Sequence, residues 1–311
     1  MILLLTHSRD FYTIDGVEQH LQKLGAEYRR LNTDHYPAHF HLSVGPGPTV
    51  WLEAANQQLD LTPTRACWAR RLWPGAEAPP GAAEQCRTFF LDALSLLSKA
   101  LWINPLAAGQ AAESKLYQLD LATRLGLRVP PTLVTSSPTE ARAFAENFSQ
   151  GVITKLLLPT VQSMDGHPDF AYTTQVLPEH LDQLEIIGWM PQIFQPLLRR
   201  RREFRVIVVG QQFFVGGLRL ANQAVIDWRA ARDEDGLSWE VASLSESLRS
   251  KVLTMMDRLG LVFGAFDFLE VEADQEPYFL EVNQAGEWGW LERDLGLPIA
   301  ECIARALAEA R

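Results

Sequence analysis

The sequence predicts an α/β protein with several packed lobes, and three observations indicate this fold class. The chain has 311 residues, 47% of them hydrophobic and 21% charged, so it can bury more than one hydrophobic core. Roughly its first third alternates strand-like with helix-like patterns, which is typical of helices packed on a parallel sheet. Towards the C-terminus, apolar strand-like runs contain carboxylates, which indicates a sheet that carries a polar site.

The first lobe is expected over residues 1–104 as a small α/β domain. Its opening apolar run is typical of a buried strand, and the next segment has the spacing of a helix that ends at Gly25. Glycine and proline alternate over 45–48 and mark a turn. The elements predicted here are strands Ile2–Thr6, Tyr28–Leu31 and Thr49–Leu52, a strand leading into residues 67–74, the helix Asp15–Leu24, and a long helix from the loop at 74–83 to about Ala100.

Two further lobes are expected over residues 105–190 and 191–311. Helical spacing over Ala111–Gly126 opens the second lobe, and a helix follows at Ser137-Pro138 because proline suits the first helical position. The other elements predicted are strands 132–135 and Val152–Leu158, then strands 190–195, 203–209, 212–219, 263–271 and 277–283, a helix at 245–259 and a C-terminal helix from Pro298.

Charge and cysteine content argue against several classes of protein. Lys and Arg number 28 against 38 Asp and Glu, a net charge of −10, so no dedicated binder of nucleic acid or of an anionic membrane is expected. The three cysteines are far apart without a C-x-x-C pair, which favours a reducing cytoplasm over a disulfide scaffold. The N-terminal apolar run is too short for a signal peptide, and no stretch reaches the ~18 apolar residues of a membrane span.

Three oxygen-bearing side chains interrupt the apolar strands near the C-terminus. Asp267 lies in the run 262–271, and Glu281 and Asn283 lie in the run 277–288. Since side chains alternate faces along a strand, Glu281 and Asn283 point the same way, and a hairpin can bring Asp267 beside them. Two carboxylates and an amide oxygen suit Mg²⁺ and leave sites for phosphate and water. The alternative is a satisfied polar network at a sheet edge.

Cationic side chains occupy other segments that are expected to be buried. Lys155 lies in an apolar strand-like run, where it is either a site cation or a lysine whose head group reaches solvent from an edge strand. Arg205 has the same two interpretations, with Glu203 on the same strand face as a salt-bridge partner. The run Arg199–Arg202 is more typical of a solvated face, although an acidic peptide would be attracted to it.

Taken in chain order, these residues resemble the ATP-grasp superfamily: a lysine at a helix start, a strand lysine, a hinge strand, Glu-x-Arg, a strand Asp and Glu-x-Asn. A narrower set of motifs resembles the microviridin-type peptide macrocyclases, also called graspetide synthetases. The L-E-V-N core is shared across the superfamily, whereas S-R-D with N-T-D, D-W-R, and N-x-x-G-E-x-x-W-L-E are more restrictive. The resemblance covers residues 6–37, 67–71, 115–133, 151–157, 193–195, 203–210, 226–229 and 279–299, almost the whole chain.

The resemblance implies an ATP-grasp fold with an N-terminal α/β domain, a central lid domain that binds the substrate's leader segment, and a C-terminal ATP-grasp domain with the Mg²⁺ site. It implies ATP and Mg²⁺ as cofactors. The residues implied to bind the nucleotide are Lys115, Lys155, Phe194, Gln195 and Arg205, and those implied to bind Mg²⁺ are Asp267, Glu281 and Asn283.

The same resemblance implies catalytic roles for several residues. The chain departs from the family pattern at one position of the hinge. Arg205 is expected to neutralise the transferring phosphoryl group. Arg219, Asp227 and Arg229 are weaker candidates for gripping an acidic core peptide, the alternative being surface salt bridges. The family hinge commonly reads Phe-Gln-Glu, whereas this chain has Pro196 at the third position, so no adenine contact from that backbone N–H is available.

The implied activity is ring closure in a ribosomally made precursor peptide that has a leader and an acidic core with Ser/Thr or Lys. ATP phosphorylates a side-chain carboxyl, and a hydroxyl or amine of the same peptide displaces phosphate to form an ω-ester or ω-amide. A homodimer is expected from the resemblance alone. Two alternatives stay open at this stage: an ATP-grasp carboxylate–amine ligase acting on free amino acids or a protein C-terminus, and a non-catalytic ATP- or peptide-binding module.

Overall fold

The N-terminal lobe is built on a parallel sheet, as the alternating pattern predicts. The computed structural model describes residues 1–79, 81–157, 160–162, 168–170, 173–220, 222, 225–230, 236–271 and 275–310. The elements of the first lobe are β1 (Ile2–Thr6), α1 (Thr13–Lys23), β2 (Tyr28–Asn32), β3 (His41–Gly45), β4 (Thr49–Ala54), β5 (Gln57–Asp60), β6 (Ala66–Ala69), α2 (Ala83–Ser95) and β7 (Leu101–Ile103). The parallel sheet has the order β2-β1-β6-β7, and β3-β4-β5 form a small antiparallel sheet beside it.

The central lobe differs from its prediction at two points. The helical spacing over Ala111–Gly126 is divided into two helices, because the Ser114 side chain caps a new helix that begins at Lys115. The strand expected to open the third lobe instead pairs with two central strands, so the central sheet extends to Pro196. The elements are α3 (Leu106–Ala112), α4 (Lys115–Arg124), β8 (Leu133–Thr135), α5 (Pro138–Glu146), β9 (Val152–Leu156), β10 (Thr160–Gln162), β11 (Pro168–Phe170), β12 (Thr174–Val176), α6 (Pro178–Leu181) and β13 (Gln192–Pro196), with a sheet order of β12-β9-β13-β8.

The C-terminal lobe is a five-stranded sheet with the order β16-β15-β14-β17-β18. Its central strands are apolar on both faces except at the charged positions, as the strand-like runs predict. The strand β16 and the helix α8 were not predicted from the sequence. The elements are β14 (Arg202–Val209), β15 (Gln212–Leu220), β16 (Leu237–Val241), α7 (Glu246–Leu259), β17 (Phe263–Glu270), β18 (Tyr278–Asn283), α8 (Gly289–Leu295) and α9 (Ile299–Ala308).

The N-terminal and C-terminal lobes share one hydrophobic core. The C-terminal helix α9 packs on α1 and β6, and its Ile303 belongs to the same buried cluster as Leu4 of β1 and Phe263 of β17. In the central lobe, α3 and α4 pack against the C-terminal sheet, with Leu121 in the same buried cluster as Phe266, and the remaining elements have a smaller core around Val152 and Phe194. The first and last lobes are therefore held together by packing. Within the described ranges, no helix is both long and apolar enough to cross a bilayer.

A buried asparagine joins these two lobes immediately after β7. The Asn104 side-chain Nδ2 donates to the carbonyls of Phe263 and Gln284 at 2.8 Å each, and its Oδ1 accepts from the backbone N–H groups of Val262 at 2.7 Å and Phe263 at 2.8 Å. One side chain thus satisfies four backbone groups of the C-terminal lobe, including a carbonyl of the loop that follows β18.

We expect Asn104→Ala to destabilise the protein strongly, because it leaves several buried backbone groups without a partner. A loss of roughly 3 kcal/mol or more in the free energy of unfolding follows from the cost of each such group. Urea unfolding followed by circular dichroism measures it. The control is Asn147→Ala, since the exposed Asn147 amide donates only to the Ala143 carbonyl, and a change within about 0.5 kcal/mol is expected there. Equal effects of the two substitutions would contradict the role of Asn104.

Candidate active site

A large cavity lies where the three lobes meet. Its volume is about 1190 Å³, and its wall includes side chains from the central and C-terminal lobes together with Arg71 of the N-terminal lobe. The charged residues of this wall are Arg71, Glu113, Lys115, Lys155, Arg199, Arg200, Glu203, Arg205, Asp227, Arg229, Asp267, Glu281 and Glu287. Opposite charges gathered in one concave site are the usual arrangement for binding a charged ligand.

The structure brings the three expected oxygen ligands together on neighbouring strands. Asp267 of β17 lies opposite Glu281 of β18, and Asn283 continues the same face of β18. The Asn283 Nδ2 donates to Glu281 Oε1 at 3.1 Å. The ladder shifts by one residue between Asp267 and Phe268, so Leu280 is an extra residue, a β-bulge. Because of this bulge, Phe279 faces the core while Glu281 faces the cavity.

Two lysines of the central lobe face the Glu281 carboxylate. Lys115, at the first position of α4, contacts Glu281 through its ammonium group, and Lys155 projects from β9 into the cavity wall. Burial alone would raise the pKa of Glu281, but the Lys115 and Lys155 charges override it and hold that pKa well below its usual range. Burial lowers the pKa of Lys155, and the attraction of Glu281 opposes that shift. Glu281 is therefore ionised at neutral pH.

The donor set fits a magnesium ion. Asp267 and Glu281 supply carboxylate oxygens, and the Asn283 amide lies beside Glu281, to which its Nδ2 donates. Within the described residues no group of three or more His, Cys, Asp or Glu side chains comes together, so the protein offers two carboxylates and an amide here. Mg²⁺ typically binds one or two protein carboxylates and completes its octahedron with phosphate and water.

Arg205 is buried at the same site and forms an ion pair with Asp267 there. Its Nη1 donates to both Asp267 oxygens, at 2.9 and 3.0 Å, and its Nη2 donates to the Glu287 carbonyl at 2.7 Å. The loop after β18 approaches it closely: a Cβ on Gly286 would lie 2.5 Å from Ala265 Cβ and 2.9 Å from Arg205 Nη2. Glycine at 286 is required because any side chain there would push this arginine away from Asp267.

Glu287, which the sequence analysis did not single out, connects this site to the N-terminal lobe. Its carboxylate accepts from Arg70 Nη2 at 2.5 Å, Arg71 Nη2 at 3.3 Å and Thr13 Oγ1 at 2.6 Å, and from the backbone N–H of Gly289 at 3.2 Å. Burial would raise the pKa of Glu287, but Arg70 and the Thr13 hydroxyl outweigh it and lower that pKa to about 2. The carboxylate is a fixed negative charge that anchors the loop holding Arg205.

Glu203 and the arginine run lie beside Arg205. Burial raises the pKa of Glu203 to about 7, although the Arg200 guanidinium, whose Nε lies 2.6 Å away, opposes the shift. Arg200 also donates to the carbonyls of Val225 and Ile226. Two other arginines of the run form ion pairs on the surface of the sheet, and Arg199 lies in the cavity wall. The run Arg199–Arg202 therefore consists mostly of structural ion pairs. Glu203, in contrast, is a carboxyl that can exchange a proton near neutral pH.

Asp227 and Arg229 lie in the cavity wall. Asp227 is buried and accepts from the backbone N–H of Thr173 at 3.2 Å, and Arg229 lies 3.2 Å from Asp227 and 3.9 Å from Asp267. Trp228, between them, packs against two further tryptophans, Trp239 and Trp290, at centroid distances of 5.4 and 5.3 Å. This aromatic cluster fixes the short loop in place.

Two predicted site residues lie elsewhere. The Arg219 side chain is 65% exposed on β15 and pairs with Glu240 at 3.2 Å, so the structure does not place it in the cavity wall. Phe194 is buried in the core of the central lobe, and its side chain is likewise outside the wall.

Gln195 does line the cavity, where its Nε2 donates to Thr132 Oγ1 at 2.9 Å. Pro196 fits β13 because the neighbouring strand β8 pairs only with residues 192–194 and leaves that edge open.

Comparison with known families agrees with this geometry. Residues 1–108 match the family described as the MvdD pre-ATP grasp domain, and residues 112–307 match the RimK-like ATP-grasp domain. The chain belongs to the RimK-like ATP-grasp family. It is an ATP-grasp ligase, and the ATP-grasp fold expected from the sequence is confirmed.

Several relatives of this ligase have known structures or activities. The macrocyclase MdnB from Microcystis aeruginosa MRC shares 37% sequence identity over 99% of both chains, with a TM-score of 0.81. The macrocyclase MdnC from the same organism, solved with the precursor peptide MdnA, shares 28% identity over the full length of both chains, with a TM-score of 0.88. The alpha-aminoadipate–LysW ligase LysX of Sulfurisphaera tokodaii is 24% identical over 200 residues, 63% of this chain and 68% of that relative. The resemblance to microviridin-type macrocyclases is confirmed.

The ligase residues that sequence reasoning missed follow strand ends. Arg70 and Arg71 come directly after β6, and Glu287 comes four residues after β18. These loop positions have no periodicity that reveals burial, which is why strand alternation could not find them. The signal was present in the restrictive motifs, since C-W-A-R-R and N-x-x-G-E contain all three residues.

We expect Glu287→Gln to remove a pH-dependent contribution to stability. A carboxyl whose pKa falls from an ordinary 4.5 to about 2 on folding stabilises the protein fully above pH 4.5 and progressively less as pH falls towards 2. The difference in unfolding free energy between wild type and Glu287→Gln should therefore shrink over that window, measured by urea unfolding at a series of pH values. Glu53→Gln, at an exposed position on β4, should give no such change, and a constant difference for Glu287→Gln would contradict the ion-pair role.

Proposed function

We propose that this ligase closes rings in a ribosomally made precursor peptide by using ATP to activate a side-chain carboxyl. The observation that carries the proposal is the single cavity that unites two lysines, Arg205 and the oxygen set of Asp267 and Glu281. A polyphosphate requires cations and a bridging metal, since phosphoryl transfer depends mostly on positioning and charge neutralisation. The likeness to MdnB and MdnC over the whole chain supports a peptide as the substrate.

The predicted nucleotide-binding and metal-binding residues have distinct roles in the proposed reaction. Lys115 and Lys155 hold the nucleotide phosphates, Gln195 lies at the adenine end, and Arg205 neutralises the transferring phosphoryl group. Asp267, Glu281 and Asn283 would hold Mg²⁺, which would supply charge neutralisation for the nucleotide phosphates. The Phe194 side chain packs in the core of the central lobe and so supports the hinge strand β13 from behind, outside the cavity wall.

The second half of the reaction joins the two peptide side chains. The peptide acyl phosphate is attacked by a Ser/Thr hydroxyl or a Lys amine of the same peptide, the carbonyl–phosphate bond breaks, and inorganic phosphate leaves. Glu203, with its pKa near 7, is the wall carboxylate suited to accept the proton of the nucleophile. Arg229 grips the acidic core and Asp227 holds Arg229 in position, while Arg219 lies outside the cavity as part of a surface ion pair.

The same reasoning leads to proposals for the roles of the lobes, the cellular location and the oligomeric state. The central lobe binds the leader. Its part with a separate core, which carries Lys155, closes on the nucleotide, whereas α4 with Lys115 packs on the base that the other two lobes form. A cytoplasmic location and a homodimer are proposed as well. Because the chain is also similar to LysX, one alternative function remains: a ligase that joins a free amino acid or amine to a protein. In that reaction the mass of the acceptor protein increases, whereas ring closure lowers the mass of the peptide.

The proposal predicts ATP-dependent loss of one water mass per ring when the protein is incubated with Mg²⁺ and the precursor peptide encoded beside its gene. Mass spectrometry of the peptide measures this loss. Glu281→Gln should lower the rate by about a hundredfold or more, because it removes a charge that acts in phosphoryl transfer. Arg219→Gln is the matched control and should retain wild-type activity. An unchanged peptide mass with wild-type protein would contradict the proposal.

A further inference from the structure

Two consecutive arginines at the end of β6 have different surroundings. The Arg70 side chain is 1% exposed and is held on both sides, by Asp10 Oδ2 at 2.9 Å and by Glu287 Oε2 at 2.5 Å. The Arg71 side chain is 40% exposed, and within the described residues its single polar contact is Glu287 Oε2 at 3.3 Å. Arg70 is thus a structural residue, whereas most of the donors of Arg71 remain directed to solvent.

The position of Arg71 in the fold is one where open α/β sheets bind ligands. In the order β2-β1-β6-β7, the chain moves outwards in one direction from β1 and in the other from β6, so the order reverses between these two strands. Crevices outside the carboxyl ends of the strands at such a point commonly hold substrates. Arg71 follows the carboxyl end of β6 and, among the described residues, is the one side chain of the N-terminal lobe in the cavity wall.

Arg71 is also coupled to the site of phosphoryl transfer. Its contact Glu287 provides the carbonyl that accepts from Arg205 at 2.7 Å, and Arg205 in turn grips Asp267. The phosphate-binding lysines lie on the central lobe, which leaves the N-terminal side of the cavity for the other substrate. A guanidinium offers a planar pair of donors that matches a carboxylate, so an acidic side chain is the group that fits here.

We propose that Arg71 is a specificity-determining residue that binds a second carboxylate of the substrate peptide, close to the carboxyl that is activated. Arg70 and Glu287 act as positioning residues that hold Arg71 at the cavity wall. This inference rests on the proposed function, since it assumes an acidic peptide in the cavity. It gives the N-terminal lobe a direct part in substrate choice: the peptide must carry an acidic residue at a fixed distance from the reacting one.

The test is a double-mutant cycle between Arg71 and the acidic residues of the peptide. Arg71→Gln is assayed with the precursor peptide and with versions in which each core Asp or Glu is replaced by Asn or Gln. With the unmodified peptide, kcat/KM should fall about ten- to a hundredfold, as for a lost charge-assisted hydrogen bond, while KM for ATP stays unchanged. For one peptide position, the neutral substitution should abolish the effect of Arg71→Gln. Arg71→Lys should recover part of the activity.

Controls separate this role from a structural one. Arg29→Gln removes the same charge from an exposed position on β2, outside the cavity wall, and should leave kcat/KM unchanged. Arg70→Gln should lower the unfolding free energy, because it leaves Asp10 buried without its ion pair, whereas Arg71→Gln should not. The inference is overturned if Arg71→Gln weakens every peptide equally, raises KM for ATP or leaves kcat/KM unchanged.

Failure of the proposed function would have a different signature. In that case wild-type protein leaves the mass of every peptide unchanged. The carboxylate contact is then measured as binding, by fluorescence anisotropy of the labelled precursor peptide with wild type and Arg71→Gln. A weaker affinity that depends on one acidic residue of the peptide supports Arg71 as its binding partner, and equal affinities reject it.

Discussion

Opposite charges buried on adjacent strands constrain the whole site. Arg205 and Asp267 lie directly across the β14–β17 ladder, and Lys115 reaches Glu281 from another lobe. An ion removed from water is costly unless a partner of opposite charge stays beside it, and breaking such a buried pair costs about 3–5 kcal/mol. These partners stay in contact only if three elements keep their relative positions: the strands, the helix start at Lys115 and the loop after β18. The same charges suit ATP and Mg²⁺, because the cations match phosphate and the carboxylates match the metal.

The lobes have unequal mechanical roles. The first and third lobes share a core and are joined by Asn104 and by the Arg70–Glu287 ion pair, so they form one base. Within the central lobe, α3 and α4 pack on the C-terminal sheet through Leu121 and Ala122, whereas residues 133–196 have an apolar core of their own. A segment with a core of its own can change position as a unit when a ligand replaces its polar contacts at the cavity, whereas a segment that shares a core cannot do so without opening that core.

The sequence predicted those parts of the site that lie on regular strands. The carboxylates at 267 and 281 interrupt apolar runs, so the strand pattern alone indicates their burial and their shared face. Lys115 could not be placed at a helix start in this way, since the helical spacing continues through Ser114 and only the resemblance indicated the start. Arg70 and Glu287 lie in loops, where position depends on tertiary contacts. Arg219 lies on β15, one strand away from the cavity. Alternation along a strand indicates the face on which a side chain lies, but it does not indicate which strand borders the cavity.

The packing of α9 against α1 affects the order in which the chain can fold during synthesis. Leu4 and Val17 are made first, yet their core is completed by Ile303 and Leu307 of the last helix. Domains usually fold as units while the chain emerges from the ribosome. Here α1 covers only part of one face of the N-terminal sheet until the residues of α9 have been made. The nascent ligase therefore exposes part of that face until α9 is made, and apolar surface exposed in this way is prone to aggregate.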